Sequence, residues 1–135
     1  KQMQSEKPIF KKPYEPVDSV DESVWLGNDT PVMESDFTYV FNDRYPCVPG
    51  HKLFIPKEKN SHFLGRSYGM AYDYGNEKIK AGEIAGFNVG MNIGIPAGQT
   101  IMWPHIHFIP RHEGDADHVG GMRYTHPSAD HKNYY

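Results

Sequence analysis

Apolar residues in this chain fall into short clusters divided by turn-forming residues, and only one stretch carries helical spacing. Val24-Trp25-Leu26 predicts a short strand before the turn residues Gly27-Asn28-Asp29. Phe37-Thr38-Tyr39-Val40-Phe41 is aromatic and β-branched, which suits a pleated surface and predicts a second strand. A turn-rich stretch from Asn42-Asp43 to Pro49-Gly50 separates it from His51-Lys52-Leu53-Phe54-Ile55, which Pro56 stops. The two strands are natural hairpin partners.

From Ser61 to about residue 80 the period changes. Phe63, Ser67, Met70, Ala71 and Tyr74 recur at helical spacing, with Ser61 as the expected cap. Gly65, Gly69 and Gly75 each weaken that helix. Phe87 to Ile93 then reads as a strand, followed by the glycine-containing loop 94–100 and a last core strand from Ile101 to Ile109. Residues 1 to about 20 are rich in lysine and proline, which predicts an extended arm lying along the domain or a partner subunit. Beyond Arg111 the chain turns polar, with Gly120-Gly121 and several histidines, and an irregular tail is expected. With no internal repeat or linker, residues 21–135 read as one α+β domain built on an antiparallel sheet.

Composition narrows the function. A chain of 135 residues holds one sizeable core. A net charge of -3 gives no basic surface for a nucleic acid polymer or an anionic membrane, though a local anion site needs only placed donors. Cys47 is the only cysteine, which excludes an intrachain disulfide and a cysteine-based zinc site. A lone thiol suits a reducing compartment, so a cytoplasmic location is expected. No apolar run approaches membrane-spanning length.

The densest chemistry lies between Gly98 and Arg111. On a strand, alternate side chains share a face, so Trp103, His105, His107 and Ile109 project together, while Pro104, Ile106 and Phe108 face the core under the helix. Two neighbouring imidazoles offer a donor, an acceptor and a nucleophile within reach of one ligand. Just upstream, the backbone N–H groups of Gly98-Gln99-Thr100 can converge on an anion, aided by the Thr100 hydroxyl. A phosphate there would lie beside imidazole nitrogen, the geometry needed for nucleotidyl transfer to histidine.

These residues resemble the histidine triad (HIT) family signature, three histidines alternating with apolar residues after a Gly-Gln-Ser/Thr loop. The run from Asn42-Asp43 through Pro49-Gly50-His51 to Ile55-Pro56-Lys57 resembles the family's first block, and Gly120-Gly121-Met122-Arg123 a tail found in some members. The resemblance implies a sheet of about five antiparallel strands with the main helix on one face. It implies His105 as the covalent nucleophile, oriented by a backbone carbonyl that could come from Trp103, with His107 assisting. It gives Asn92, Gly98, Gln99 and Thr100 to the phosphate, Asp43 to the ribose hydroxyls, and His51 a place behind the histidine cluster. Trp103 stands where the family has its first histidine, which normally interacts with the histidine at position 51, so that arrangement must differ here. The implied activity is hydrolysis or transfer at the α-phosphate of a nucleotide, such as a nucleoside phosphoramidate or dinucleoside polyphosphate. No metal or other cofactor is required, and a homodimer is implied.

Two other readings fit parts of the pattern. In a metal-binding, cupin-like β-barrel, His105 and His107 would be ligands with His51 or a tail histidine as the third. In a non-catalytic nucleotide-binding module, Trp103 would mark a degenerate site. Arg111 reads equally as a surface residue or a phosphate clamp. His112, His118, His126 and His131 read as solvated, and Tyr134-Tyr135 as an end that either packs on the body or does nothing.

Overall fold

Among the described residues, five strands form one antiparallel sheet in the order β1-β2-β3-β5-β4, with one long helix across one face. A computed structural model of the chain describes residues 13–116, 120–130 and 133. The strands are β1 (Met33–Glu34), β2 (Thr38–Asn42), β3 (Lys52–Pro56), β4 (Gly86–Gly90) and β5 (Ile106–Arg111). The helices are α1 (Val24–Asn28) and α2 (Ser61–Lys80). The expectations for residues 1–12, His118, His131 and Tyr134-Tyr135 lie outside the described residues.

The β2–β3 hairpin forms as its sequence demands, with Val40 opposite Phe54 and Phe41 opposite Leu53. Side-chain alternation then sorts the sheet into two faces. Val40, Phe54, Ile106 and Phe108 turn toward α2 and pack with Ala71. Phe41, Leu53, Ile55 and Trp103 occupy the opposite face, covered by Val20 and Trp25. Fixing this register is a buried pair between sheet and helix: Thr38 Oγ1 and Ser67 Oγ are 2.6 Å apart. Ser67 donates to the Phe63 carbonyl, so the Thr38 hydroxyl is the donor to Ser67.

Helix α2 runs to Lys80 through its three glycines, and one of them is required. A Cβ at Gly75 would collide with the Phe87 ring, which presses on the helix at that point, whereas Gly65 and Gly69 face open space. The cap is Asn60 rather than Ser61: Asn60 Oδ1 accepts the Phe63 N–H at 2.9 Å, and Ser61 is the first helical residue.

Three strand expectations are corrected as well. Val24-Trp25-Leu26 is helical, not a strand: the Ser23 hydroxyl accepts the Leu26 N–H and starts α1, which turns Trp25 into the core. The strand expected over Phe87–Ile93 is β4, Gly86–Gly90. The last strand begins at Ile106, not Ile101, because Pro104 brings no N–H to a ladder and the Trp103 carbonyl is used by a side chain instead. The short β1, pairing Met33 with Val40, had no counterpart in the sequence reading. Tyr14 N–H donates to the Thr100 carbonyl at 2.7 Å, and Pro16 bridges to Met102.

Candidate active site

Four titratable side chains meet on the sheet face opposite α2. Asp43 follows β2, His51 precedes β3, His105 immediately precedes β5 and His107 lies within it. Register brings them together: β3 sets Leu53 opposite His107, and β4 sets Gly90 opposite the same residue. The rings of His105 and His107 lie 5.3 Å apart, on one side of the sheet. Ile106 between them points into the core under α2.

Hydrogen bonds fix the proton positions. The Cys47 N–H donates to His51 Nδ1 at 3.0 Å, so a neutral His51 carries its proton on Nε2. That Nε2–H faces His107 Nδ1 at 2.9 Å and Asp43 Oδ2 at 3.1 Å. His107 Nδ1 is therefore an acceptor, and the proton of neutral His107 sits on Nε2. The other oxygen of Asp43 accepts the Tyr45 N–H at 2.7 Å. In His105 the order is reversed: Nδ1–H donates to the Trp103 carbonyl at 2.7 Å, leaving the Nε2 lone pair unprotonated. His105 and His107 thus present a bare nitrogen and an N–H.

Burial disfavours the charged form of all three rings. His105 is held below the usual histidine range first by loss of solvent, against the pull of its bond to the Trp103 carbonyl; His107 lowers it further and Asp43 raises it. His107 is lowered by burial and by His51, with Asp43 opposing. His51 is lowered by burial, again against Asp43. Desolvation outweighs the carboxylate at each ring, so Asp43 faces neutral imidazoles as a hydrogen-bond acceptor.

Asp43, His51 and His107 bring one donor atom each within 4.8 Å of one another, a spacing that a metal ion can occupy. The donor chemistry does not fit. A metal-bound imidazole carries its proton on the other ring nitrogen, and on His51 that nitrogen already accepts the Cys47 N–H. The cupin-like barrel is excluded by the open sheet and α2.

His51 and His107 form part of the wall of a cleft of about 790 Å³, with Asn88, Asn92, Met122 and His126 around it. Asn92 thus shares the cleft with His51 and His107, though His105 is not in its lining, and its amide rests 3.8 Å from where a Gly98 Cβ would be. Gly98, Gln99 and Thr100 do not line this cleft. The N–H groups of Ala97, Gly98 and Gln99 are used inside their own turn. Gln99 ties that turn with its side chain, Oε1 accepting the Gly94 N–H at 2.9 Å and Nε2 donating to the Ile101 carbonyl at 3.1 Å. Gly98, at φ 99°, adopts the left-handed conformation the turn requires.

Trp103 is buried, and its Nε1–H donates to the Pro56 carbonyl at 2.9 Å. It packs in the core on the His105 face, while His51 turns to His107. Arg111 is engaged locally, donating to Asn88 Oδ1 at 2.8 Å and pairing with Asp115. His112 and His126 are exposed, but His126 also borders the cleft, which its polar surroundings in sequence gave no reason to expect. Trp25, read from sequence as part of a strand, lies 4.9 Å ring to ring from His105.

Comparison with known proteins decides the family. The HIT domain description matches residues 28–114, more than half of the chain. The chain belongs to the HIT domain family. Among its HIT relatives is the adenylylsulfatase HINT3 of Arabidopsis thaliana, 34% identical over 62% of this chain and 46% of that protein. Another is the AP-4-A phosphorylase of Mycobacterium tuberculosis H37Rv, 29% identical over 65% of this chain and 49% of that protein. The chain spans about half the length of these two relatives. A crystal structure of a Hit-like protein from Bartonella henselae, involved in cell-cycle regulation, superposes with a TM-score of 0.57. It is 29% identical and covers 64% of this chain and 71% of that one. Among the described residues no helix is long and apolar enough to cross a membrane.

Proposed function

We propose that this protein cleaves nucleotides at the α-phosphorus, through a nucleotidyl-histidine intermediate on His105. The observation that carries this reading is the 2.7 Å bond from His105 Nδ1–H to the Trp103 carbonyl, which leaves Nε2 as a bare, oriented nucleophile. His105 Nε2 bonds to phosphorus as the bond from phosphorus to the leaving group breaks. The His107 Nε2–H donates a hydrogen bond to the charge that develops, and the departing group takes its proton from solvent water. Water then attacks phosphorus and gives up a proton to solvent, and the P–N bond breaks with its electron pair returning to His105 Nε2. Substrates of the phosphoramidate and dinucleoside polyphosphate types both fit this sequence, and no cofactor takes part.

In this reading the Asn92 amide and the Thr100 hydroxyl contact the phosphate, while Gly98 and Gln99 shape the turn beside them. Asp43 acts through His51 and His107, in place of or alongside a ribose contact. Trp103 fills the position of the first triad histidine. A homodimer is part of the proposal: Tyr68, Tyr72 and Ile79 are exposed on α2, and β4 ends the sheet on one side. Sedimentation showing only monomer at micromolar concentration would remove it. We further propose a cytoplasmic protein with no membrane or nucleic acid polymer as partner.

The test is His105→Ala assayed against adenosine phosphoramidates and diadenosine polyphosphates. Turnover falls by about 10³-fold or more, while His107→Ala costs about 10²-fold. Parent-like turnover by His105→Ala would sink the mechanism.

A further inference from the structure

Among the described residues His105 has two ring neighbours, and one of them comes from outside the family match. His107 lies 5.3 Å away on one side, and Trp25 lies 4.9 Å away with its plane tilted by 54°. Trp25 is 3% exposed and His105 is 8% exposed. Trp25 belongs to α1 and precedes the matched span 28–114. The element that carries it is anchored at several points: Ser23 caps α1, Val20 packs in the same cluster, Pro16 bridges to Met102, and Tyr14 bonds to Thr100. This segment therefore touches both the nucleophile and the chain leading into it.

A single hydrogen bond at Nδ1 fixes one edge of an imidazole but still lets the ring rock about that bond. In-line attack needs the Nε2 lone pair aimed within narrow limits. Packing against an indole removes the remaining freedom. We infer that Trp25 is a positioning residue for His105, holding the ring against the Trp103 carbonyl and shielding it from solvent. The inference rests on the proposed role of His105 for its kinetic arm only. The shielding itself is a property of the folded chain.

The experiment has two arms. In the first, diethyl pyrocarbonate modifies the protein without substrate, and peptide mass spectrometry compares His105 with the exposed His112. In the parent, His105 reacts at least about tenfold more slowly than His112; in Trp25→Ala the two rates converge; in Trp25→Phe, which keeps an aromatic ring, His105 stays slow. In the second, Trp25→Ala loses about tenfold or more in kcat with KM changed less than about threefold, and Trp25→Phe recovers most of the loss. If Trp25→Ala shows no cooperative melting transition, Trp25→Leu takes its place. The inference is overturned if the His105 rate relative to His112 is the same in the parent and the variant, or if Phe is as damaging as Ala. Should the parent prove inactive on every nucleotide, the modification arm still decides this inference while the proposed function fails.

Discussion

His51 Nε2 stands 2.9 Å from His107 Nδ1, and the proton between them belongs to His51. The Cys47 N–H bound to the far side of His51 enforces that assignment. One backbone amide, on a loop, thereby decides which nitrogen of His107 faces the cleft with a proton.

Asp43 gives the first prediction. Its Oδ2 lies 3.1 Å from His51 Nε2, so Asp43→Asn either sets an amide N–H against that donor or removes the charge that raises the pKa of both rings. About a tenfold fall in kcat is expected, equal for ribose and 2′-deoxyribose substrates. A pure ribose-holding role gives the opposite result: a KM effect confined to ribonucleotides.

The pH dependence follows from burial. His105 must be neutral to attack, and desolvation sets its folded pKa below the ordinary value near 6.5. The acid limb of kcat/KM is therefore expected below about pH 6.5, and a limb above it would contradict the burial argument.

Stability moves in the same window. For His51, His105 and His107 the folded pKa is below the unfolded one, so the unfolded chain binds more protons at mildly acid pH. Their contribution is fully present above about pH 6.5 and is lost as pH falls toward the folded values. Denaturant midpoints measured from pH 7.5 down to 5.5 should decline, and His105→Gln should flatten that slope.

Glycines in α2 test the packing. Gly75→Ala gains about 1 kcal/mol of helix propensity but drives a methyl into Phe87, itself stacked 5.2 Å from Phe108. The overpacking cost of about 1–3 kcal/mol wins, and the melting temperature drops. Gly69→Ala meets nothing and should raise it.

Chelation supplies a further check. Since His51 has its proton on the nitrogen a metal would need, activity should persist after dialysis against EDTA. Loss of turnover restored by zinc would refute the tautomer assignment.

How much of this was legible in the sequence depended on range. The β2–β3 hairpin, the helix from residue 61 and the common face of His105 and His107 are written in local periodicity, and all are present. The three residues Val24-Trp25-Leu26 are too few to distinguish strand from helix, and the Ser23 hydroxyl decided the matter. The ring contact between Trp25 and His105 joins positions 80 apart, and no spacing rule reaches across such a gap. The backbone N–H groups of Gly98 and Gln99 suit an anion in sequence, but the turn's own hydrogen bonds, which use them, are invisible without coordinates.

That same glutamine has a thermodynamic consequence. A turn cross-tied at both ends of one side chain has little conformational entropy left to lose. Any anion that settles beside it meets a surface already organised, so the enthalpy of the new contacts is not offset by the ordering of a slack loop.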